Sequence, residues 1–256
     1  MPSPIAFQVF GLEVRWYGIL IATAFLIGIF LAIKRGAKKN IVSDDILDIV
    51  LAAVPAGIVG ARLYYVLFRW DYYAAHLDEI FMIWKGGLAI HGGLIAGILA
   101  GYFVCRHKNI RFLTILDVFA PAFPIGQSLG RWGNYFNQEA YGTETDLPWA
   151  ITVMDPVKGL IQVHPTFLYE SIWNLAVFGL LLWYERYRKK YEGELIALYG
   201  IYYSTGRFFI EGLRTDSLMF FDLRVAQLIS FAIIVASTLL WKKIRSQKHG
   251  DLQKRK

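Results

Sequence analysis

Apolar runs long enough to cross a membrane recur along this chain, and they limit its fold more than any other feature. A helix needs roughly 20 apolar residues to cross the hydrocarbon core of a bilayer. Hydrophobic residues make up 56% of the 256 residues, and the mean hydropathy is +0.41. Charged residues make up 18%, against about 25% in soluble domains. The sequence therefore predicts an all-α integral membrane protein with seven spans, at 16–33, 46–68, 88–105, 113–129, 166–184, 195–213 and 225–241.

The fourth predicted span is the weakest, because Asp117, Pro121 and Pro124 interrupt it. Proline inside a span is tolerated where neighbouring helices satisfy the freed carbonyls, so we expect a kink or a break rather than a missing helix. We interpret Asp117 as the partner of a backbone or side-chain donor. Residues 1–245 are predicted to form one polytopic membrane domain, and 246–256 a disordered basic tail in the cytoplasm.

The distribution of basic residues predicts the orientation in the membrane. Eighteen of the 27 Lys and Arg residues lie in 34–45, 106–112, 185–194 and after Trp241, and seven lie in the alternate connections. Cytoplasmic connections carry the excess of Lys and Arg, so the N-terminus is predicted outside and the C-terminus in the cytoplasm. The net charge of +7 then indicates contact with anionic lipid at the inner face, not binding of nucleic acid.

The sequence offers no metal or cofactor site. Its single cysteine, Cys105, cannot form an internal disulfide and is interpreted as a small packing residue. His91 and His164 stand alone, and a zinc site needs further ligands at a suitable spacing. We therefore expect neither a metal ion nor a cofactor.

The segment GRWGNYFNQEAYG, residues 130–142, concentrates polar side chains directly after the fourth apolar run. Such groups are costly beside lipid unless they are paired or hold a ligand, so they mark a functional site by default. Arg131 offers a planar set of donors that suits phosphate, Asn134 and Asn137 can donate or accept, and Glu139 can balance charge or take a proton. The alternative is a capped helix end with solvated polar residues.

The predicted topology places the other unusual residues in the same outer layer of the membrane. Arg62 lies six residues before the end of its span, about 9 Å below the outer surface at about 1.5 Å per residue. His91 lies in the first turns of the third span, and Arg207 and Glu211 lie in the outer third of the sixth. Tyr17 begins the first span at the outer face. Guanidinium groups gathered at this depth indicate an anion bound at headgroup level.

Ion pairing is a second interpretation of the same charges. Arg207 and Glu211 are one helical turn apart, and Arg131 could pair with Glu139. These pairs leave Arg62 and His91 without a partner, and a lipid phosphate could accept hydrogen bonds from both.

The segment 130–142 resembles the GRxGNxxNxExxG signature of bacterial prolipoprotein diacylglyceryl transferases. Further pieces similar to that family follow in its order: RWYG at 15–18, HGGLI at 91–95, HPTFLYE at 164–170 and GRFFIEGLRTDSL at 206–218. The resemblance thus covers nearly the whole chain. Phe167 departs from it, because many members have a glutamine there.

The resemblance implies a reaction and a location. Members transfer the diacylglyceryl group of phosphatidylglycerol to the lipobox cysteine of a preprolipoprotein, in the cytoplasmic membrane of bacteria, and release glycerol 1-phosphate. It implies that Arg131 and Arg207 bind the phosphate and that His91 or Glu139 is the base. The implied lipid-binding residues, beside Arg131, are Tyr17, Asn134, Asn137, Gly142, Tyr203 and Glu211, and the predicted depth adds Arg62.

Two other functions fit buried charges in a membrane protein. One is an anion transporter or channel, and the other is a non-catalytic scaffold that binds lipid. Transporters usually show internal repeats and sites near the midplane, whereas this sequence shows no repeat between its halves and gathers its polar residues at one face. The sequence therefore favours the transferase.

Overall fold

The computed structural model describes residues 2–155 and 157–253, and their backbone is mostly helical. The helices are α1 (Trp16–Ala37), α2 (Ser43–Phe68), α3 (Trp70–Tyr73), α4 (Ile90–His107), α5 (Phe112–Phe119), α6 (Ala122–Asn137), α7 (Thr166–Tyr187), α8 (Glu194–Glu211) and α9 (Val225–Gln253). Two 3₁₀ turns, Leu77–Phe81 and Ile83–Lys85, precede α4. Three antiparallel hairpins are formed by β1 (Ile5–Val9) with β2 (Leu12–Arg15), β3 (Ile151–Asp155) with β4 (Gly159–Val163), and β5 (Met219–Phe220) with β6 (Leu223–Arg224).

Five helical segments are long and apolar enough to cross a membrane, which makes this a multi-pass membrane protein. They are Trp16–Ala37, Ser43–Phe68, Phe112–Asn137, Thr166–Tyr187 and Val225–Ser246. The remaining two predicted spans correspond to α4 and α8, which are helical with 18 residues each. Both lie near the lower length limit for a span, and α8 carries the charged residues Glu194, Arg207 and Glu211.

The fourth predicted span is broken where its prolines indicated. Helix α5 ends at Phe119 and α6 begins at Ala122, with Pro121 at the N-cap position. Pro124 lies in the first turn of α6, where its missing N–H would have had no partner in the helix. The short interruption leaves one apolar segment from residue 112 to residue 137.

The carboxylate of Asp117 fastens this broken segment to the start of α8. The backbone N–H groups of Gly193 and Ile196 donate to its two oxygens at 2.8 and 3.0 Å, and Lys189 Nζ lies 2.8 Å from Oδ2. Asp117 thus satisfies donors that the first turn of α8 leaves open. The prediction that this residue pairs with a donor is confirmed.

The predicted membrane domain of residues 1–245 contains two compact units, and the smaller comprises residues 32–115. Its helices α2 and α4 approach closely through small residues. A side chain at Gly60 would lie 2.7 Å from the carbonyl oxygen of Gly92, so only glycine permits this contact, as is common between membrane helices. At the other end of α4, Lys108 Nζ pairs with Asp45 at 2.6 Å and with Asp48 at 2.7 Å.

Among the described residues, the larger unit comprises 2–31, 116–155 and 157–253. Helices α6 to α9 pack in sequence order, each against the next. Between α1 and α6, the side chains of Tyr17, Ile21 and Ala24 face Gly133, Gly130 and Gly126, so the two helices meet along a row of small residues. The core of the unit contains Ala120, Val177, Leu181, Leu195 and Leu198.

The C-terminal segment differs from the predicted disordered tail. The backbone of α9 stays helical to Gln253, although residues 246–256 were expected to be irregular. Residues 254–256 of that tail lie outside the described residues. The apolar residues of the span precede the basic ones directly, so nothing in this sequence stops the helix at residue 246.

Candidate active site

A buried carboxylate in the larger unit gathers three arginines. Glu170 lies in the second turn of α7 and is 3% exposed. Its Oε2 is 2.7 Å from Arg131 Nη2, and its Oε1 is 3.0 Å from Arg207 Nη1 and 3.4 Å from Arg214 Nη1. The arginines come from α6, from α8 and from the segment after α8. One carboxylate therefore joins three parts of the chain.

Glu211 is the second buried carboxylate of this cluster. Arg207 Nη2 lies 2.7 Å from its Oε2, and Arg214 Nε lies 3.8 Å from the same oxygen. No hydrogen bond to Oε2 has good geometry among the described residues, so we regard these contacts as mainly Coulombic. The pairing of Arg207 with Glu211, one turn apart, agrees with the ion-pair interpretation of the sequence.

Arg214 and Arg224 extend the cluster towards the surface. Arg214 forms a bidentate pair with Asp216, at 2.9 and 2.7 Å. Arg224 Nη1 donates to the backbone carbonyls of Glu211 and Arg214 and to Ser217 Oγ. These bonds fix the turn after α8, so the direction of Arg214 is set by the backbone around it.

The segment 130–142 contributes a second layer of polar side chains. Arg131 Nη1 donates to Asn134 Oδ1 at 3.4 Å, and Asn134 Nδ2 donates to Glu139 Oε1 at 2.9 Å. Asn137 Nδ2 donates to the same oxygen at 3.2 Å. The suggested pair of Arg131 with Glu139 is therefore wrong: Arg131 pairs with Glu170, and two asparagines bind Glu139. Asn134 accepts from Arg131, the partner of Glu170, and donates to Glu139. It therefore links the Glu170 cluster to Glu139.

Gly142 holds the strand-like end of this segment against its neighbours. Its N–H donates to the carbonyl of His164 at 3.0 Å, and it pairs with Arg214 in an isolated β-bridge. A side chain at this position would meet the Cβ and the carbonyl oxygen of His164 and the side chain of Thr166. Only glycine allows the segment to pass between α7 and Arg214, so Gly142 shapes the site through its backbone.

Two tyrosines expected near the site lie in the larger unit. The ring of Tyr17 packs directly over Gly133 of α6, and a side chain there would collide with it. Tyr203 stacks on Tyr199 of the same helix, with ring centroids 5.6 Å apart. Tyr17 therefore contacts the helix that carries Arg131, whereas the described contact of Tyr203 is with another aromatic ring.

Arg62 belongs to the smaller unit and is bound to its backbone. Its guanidinium donates to the carbonyls of Glu79, Ile80, Gly86 and Gly87 at 2.6 to 3.0 Å, and the residue is 6% exposed. These carbonyls satisfy most of its donors without a lipid phosphate. The expectation that Arg62 needs an anionic partner is therefore corrected, since backbone carbonyls supply the acceptors.

An open cleft of about 380 Å³ lies beside Arg62 in the smaller unit. The hydrogen bond from Lys85 and a second one from Tyr72 lower the pKa of Glu79, so this side chain is ionised at neutral pH and offsets Lys85. The lining residues are Arg62, Tyr65, Arg69, Tyr72, Tyr73, Glu79, Lys85, Gly86 and Gly87.

His91 lies in the first turn of α4, as the sequence indicated. It is exposed, and its ring lies 6.3 Å from that of Tyr64, centroid to centroid. Within the part of the chain that the structure describes, its imidazole makes no hydrogen bond. Its imidazole is therefore open to contact by a substrate.

Sequence reasoning missed Glu170 and Arg214 as site residues. Both lie in the segments HPTFLYE and GRFFIEGLRTDSL that carried the resemblance, but neither was assigned a role in the site. The one sequence feature that could have identified them is that each is a charged residue within a matched segment. Which charges converge depends on how α7 and α8 pack, and the sequence does not state this.

Comparisons with known proteins agree with the resemblance. Residues 4–242 match the prolipoprotein diacylglyceryl transferase family. The phosphatidylglycerol–prolipoprotein diacylglyceryl transferase of Finegoldia magna is 51% identical over 243 residues, which cover 95% of this chain and 96% of that protein. Enzymes of the same name from Clostridioides difficile and Streptococcus pneumoniae are 51% and 50% identical and cover 92% and 91% of both chains.

Replacing Glu170 by glutamine should destabilise the protein, because three arginines lose their shared counter-charge. Breaking a buried ion pair typically costs about 3–5 kcal/mol. The matched control is Glu144→Gln, which removes an exposed pair with Lys158 and should leave the unfolding temperature nearly unchanged. Thermal unfolding of both purified variants in the same detergent measures the difference. Equal unfolding temperatures would contradict the role assigned to Glu170.

Proposed function

Because this chain belongs to the prolipoprotein diacylglyceryl transferase family, we propose that it transfers the diacylglyceryl group of phosphatidylglycerol to the lipobox cysteine of a preprolipoprotein. The cysteine Sγ forms a thioether with the glyceryl carbon. The bond between that carbon and the phosphate oxygen breaks, and glycerol 1-phosphate leaves. The substrate supplies the nucleophile, so the buried Cys105 has no part in the reaction.

The convergence of Arg131, Arg207 and Arg214 on Glu170 is the observation that carries this proposal. Buried carboxylates hold the guanidinium groups in place before any lipid arrives. Arginine donors fixed in this way bind phosphate in bidentate fashion and lose little freedom on binding. We assign the lipid phosphate to Arg131 and Arg207.

Both assigned arginines keep donors for a ligand. Their side chains are 21% and 19% exposed, whereas that of Arg214 is 10% exposed. Each binds protein acceptors through its two terminal nitrogens, and other N–H groups of each guanidinium stay available. A phosphodiester at this exposed side would meet both guanidinium groups, while the carboxylates of Glu170 and Glu211 hold Arg207 in place.

The same arginines would act in the chemical step. Negative charge grows on the phosphate oxygen as the carbon–oxygen bond breaks. Donors already aimed at that oxygen stabilise the transition state more than the ground state. Asn134, Asn137, Glu139 and Gly142 shape the surroundings of Arg131, and Tyr17 supports the helix that carries it.

The cysteine must lose its proton, because the thiolate is the nucleophile. His91 is accessible and unpaired among the described residues, which supports it as the base. Glu139 is the alternative: its Oε1 accepts two amide donors, and its Oε2 accepts none in the described part of the chain. Because two amides already engage Glu139, whereas His91 makes no hydrogen bond to a described residue, His91 is the stronger candidate.

We propose seven spans in the cytoplasmic membrane, with the N-terminus outside. Five apolar helical segments together with α4 and α8 supply the spans, and the basic connections supply the orientation. A reporter fused after Lys256 should then be cytoplasmic, and one inserted at Thr143 should be outside. Alkaline phosphatase and green fluorescent protein fusions measure this. Both positions on one side would contradict the proposed topology.

Arg131→Ala should lower transfer roughly 10²–10³-fold, the usual effect of removing one donor to a developing anion. Arg207→Ala should have a similar effect. Arg131→Lys should recover only part, because an ammonium keeps the charge but loses the planar fork. Transfer of radiolabelled lipid from phosphatidylglycerol to a lipobox peptide measures each variant.

The matched control is Arg15→Ala, which removes an exposed arginine whose described partner is Glu13. All variants must accumulate in the membrane at the level of the wild type. Near-normal transfer by Arg131→Ala would remove the phosphate-binding role.

His91→Gln should lower transfer roughly 10²–10⁴-fold at neutral pH, the usual effect of a positioned base. The loss should shrink as the pH rises towards the pKa of a free thiol, about 8.5, because more of the substrate is then thiolate. His107→Gln, at the opposite end of α4, is the control. A flat, wild-type pH profile for His91→Gln would assign the base to Glu139 instead.

A further inference from the structure

The hairpin of β1 and β2 has one apolar face that is largely exposed among the described residues. Phe7 pairs with Val14 and Val9 pairs with Leu12, so these four side chains share one face. Gln8 pairs with Glu13 on the other face. Phe7, Val9 and Leu12 are exposed by 53%, 43% and 74%. A two-stranded sheet segregated in this way is suited to a boundary between water and an apolar phase.

The turns of two hairpins carry phenylalanines in a conformation that their side chains disfavour. Phe10 has φ +50° and is fully exposed, and Phe221, between β5 and β6, has φ +51° and is 86% exposed. Glycine or asparagine adopts this region with less strain. A bulky apolar side chain at a strained and exposed tip indicates a contact outside the chain.

Both hairpins lead directly into apolar helices that are long enough to cross the membrane. Strand β2 ends at Arg15 and α1 begins at Trp16, and β6 ends at Arg224 and α9 begins at Val225. A backbone hydrogen bond closes each junction, from Trp16 N–H to the carbonyl of Pro4 and from Val225 N–H to that of Leu218. The hairpins therefore start at the membrane surface.

We propose that these two hairpins lie along the membrane surface and insert their apolar side chains among the acyl chains of the lipid. Phe7, Val9, Phe10 and Leu12 insert from the first hairpin, and Phe220, Phe221 and Leu223 insert from the second. Amphipathic segments rich in Phe and Leu bind the boundary between headgroups and acyl chains in this way. The proposed topology is needed only to assign the leaflet. With the N-terminus outside, both hairpins insert into the outer leaflet.

The orientation of each hairpin relative to the membrane decides whether its tip reaches lipid. Phe10 lies six residues before Trp16, so a hairpin projecting along the membrane normal would carry it about 20 Å away from the helix start. The headgroup layer is only about 5–8 Å thick on each side. A projecting hairpin would hold both phenylalanines in water, whereas a hairpin lying flat buries them.

The second hairpin is also tied to the ion cluster. Arg224 of β6 binds the carbonyls of Glu211 and Arg214, and both residues contact Arg207 or Glu170. Lipid contact at Phe221 thus fixes the end of α8 at a constant height in the membrane. The donors proposed for the lipid phosphate would then be held at the depth of the headgroups.

The third hairpin provides a matched control. Val157, in the connection between β3 and β4, is 91% exposed, but its neighbours Asp155 and Lys158 are charged. Backbone N–H groups of Lys158 and Val157 lower the pKa of Asp155, so this tip stays ionised. The connection from β4 to α7 also contains His164 and Pro165. This tip should lie in water.

Spin labels at the three tips test the proposal without an activity assay. Phe10→Cys, Phe221→Cys and Val157→Cys are made in a Cys105→Ala background and labelled in vesicles of phosphatidylethanolamine and phosphatidylglycerol. Power saturation then compares collisions with oxygen, which concentrates in lipid, and with a nickel chelate, which stays in water. Oxygen should dominate at positions 10 and 221, and nickel should dominate at position 157.

Three other results would overturn the proposal. Nickel could dominate at position 10 or at position 221, which would place that tip in water. Both relaxers could be excluded, which would mean that protein covers the tip. A tip in water could become protected only when a lipobox peptide is added, which would make the apolar face a peptide site. Transfer activity enters none of these readings, so failure here leaves the proposed reaction untouched.

Discussion

The attraction between the buried Glu170 carboxylate and three arginines organises the larger unit of this enzyme. Helix α6 supplies Arg131, α7 supplies Glu170, and α8 supplies Arg207 with its second carboxylate, Glu211. The packing of these helices and the pairing of their charges therefore depend on one another. Buried charges are costly unless they are paired, and here the pairs do a second task. They hold guanidinium groups at fixed positions, and we propose that the remaining donors bind the lipid phosphate.

Close backbone contacts allow the charged residues to reach one another. Gly142 passes between α7 and Arg214, and the ring of Tyr17 packs against Gly133, which has no side chain to block it. Asp117 binds the first turn of α8 from the broken fourth segment, which sets the height of a helix that carries Arg207 at its other end. Because membrane helices gain little from the hydrophobic effect between them, small residues and polar bonds of this kind determine their packing.

The sequence predicted the helices well because each depends on a local apolar run. The break before α6 followed from Pro121, and the pairing of Arg207 with Glu211 followed from their spacing. The partners of Arg131 and Arg62 were predicted wrongly, because the true partners lie far from each arginine in the sequence. Arg62 binds carbonyls that 3₁₀ turns present, and no pattern of residue types announces a set of backbone acceptors. Glu170 and Arg214 were missed because their partners also lie in segments distant in the chain.

A structure with phosphatidylglycerol bound would test the central claim most directly. The account predicts phosphate oxygens at about 2.7–2.9 Å from guanidinium nitrogens of both Arg131 and Arg207, with the contacts of Glu170 to these arginines retained. A phosphate bound instead in the cleft beside Arg62, with the larger unit's ion cluster left without lipid, would contradict it.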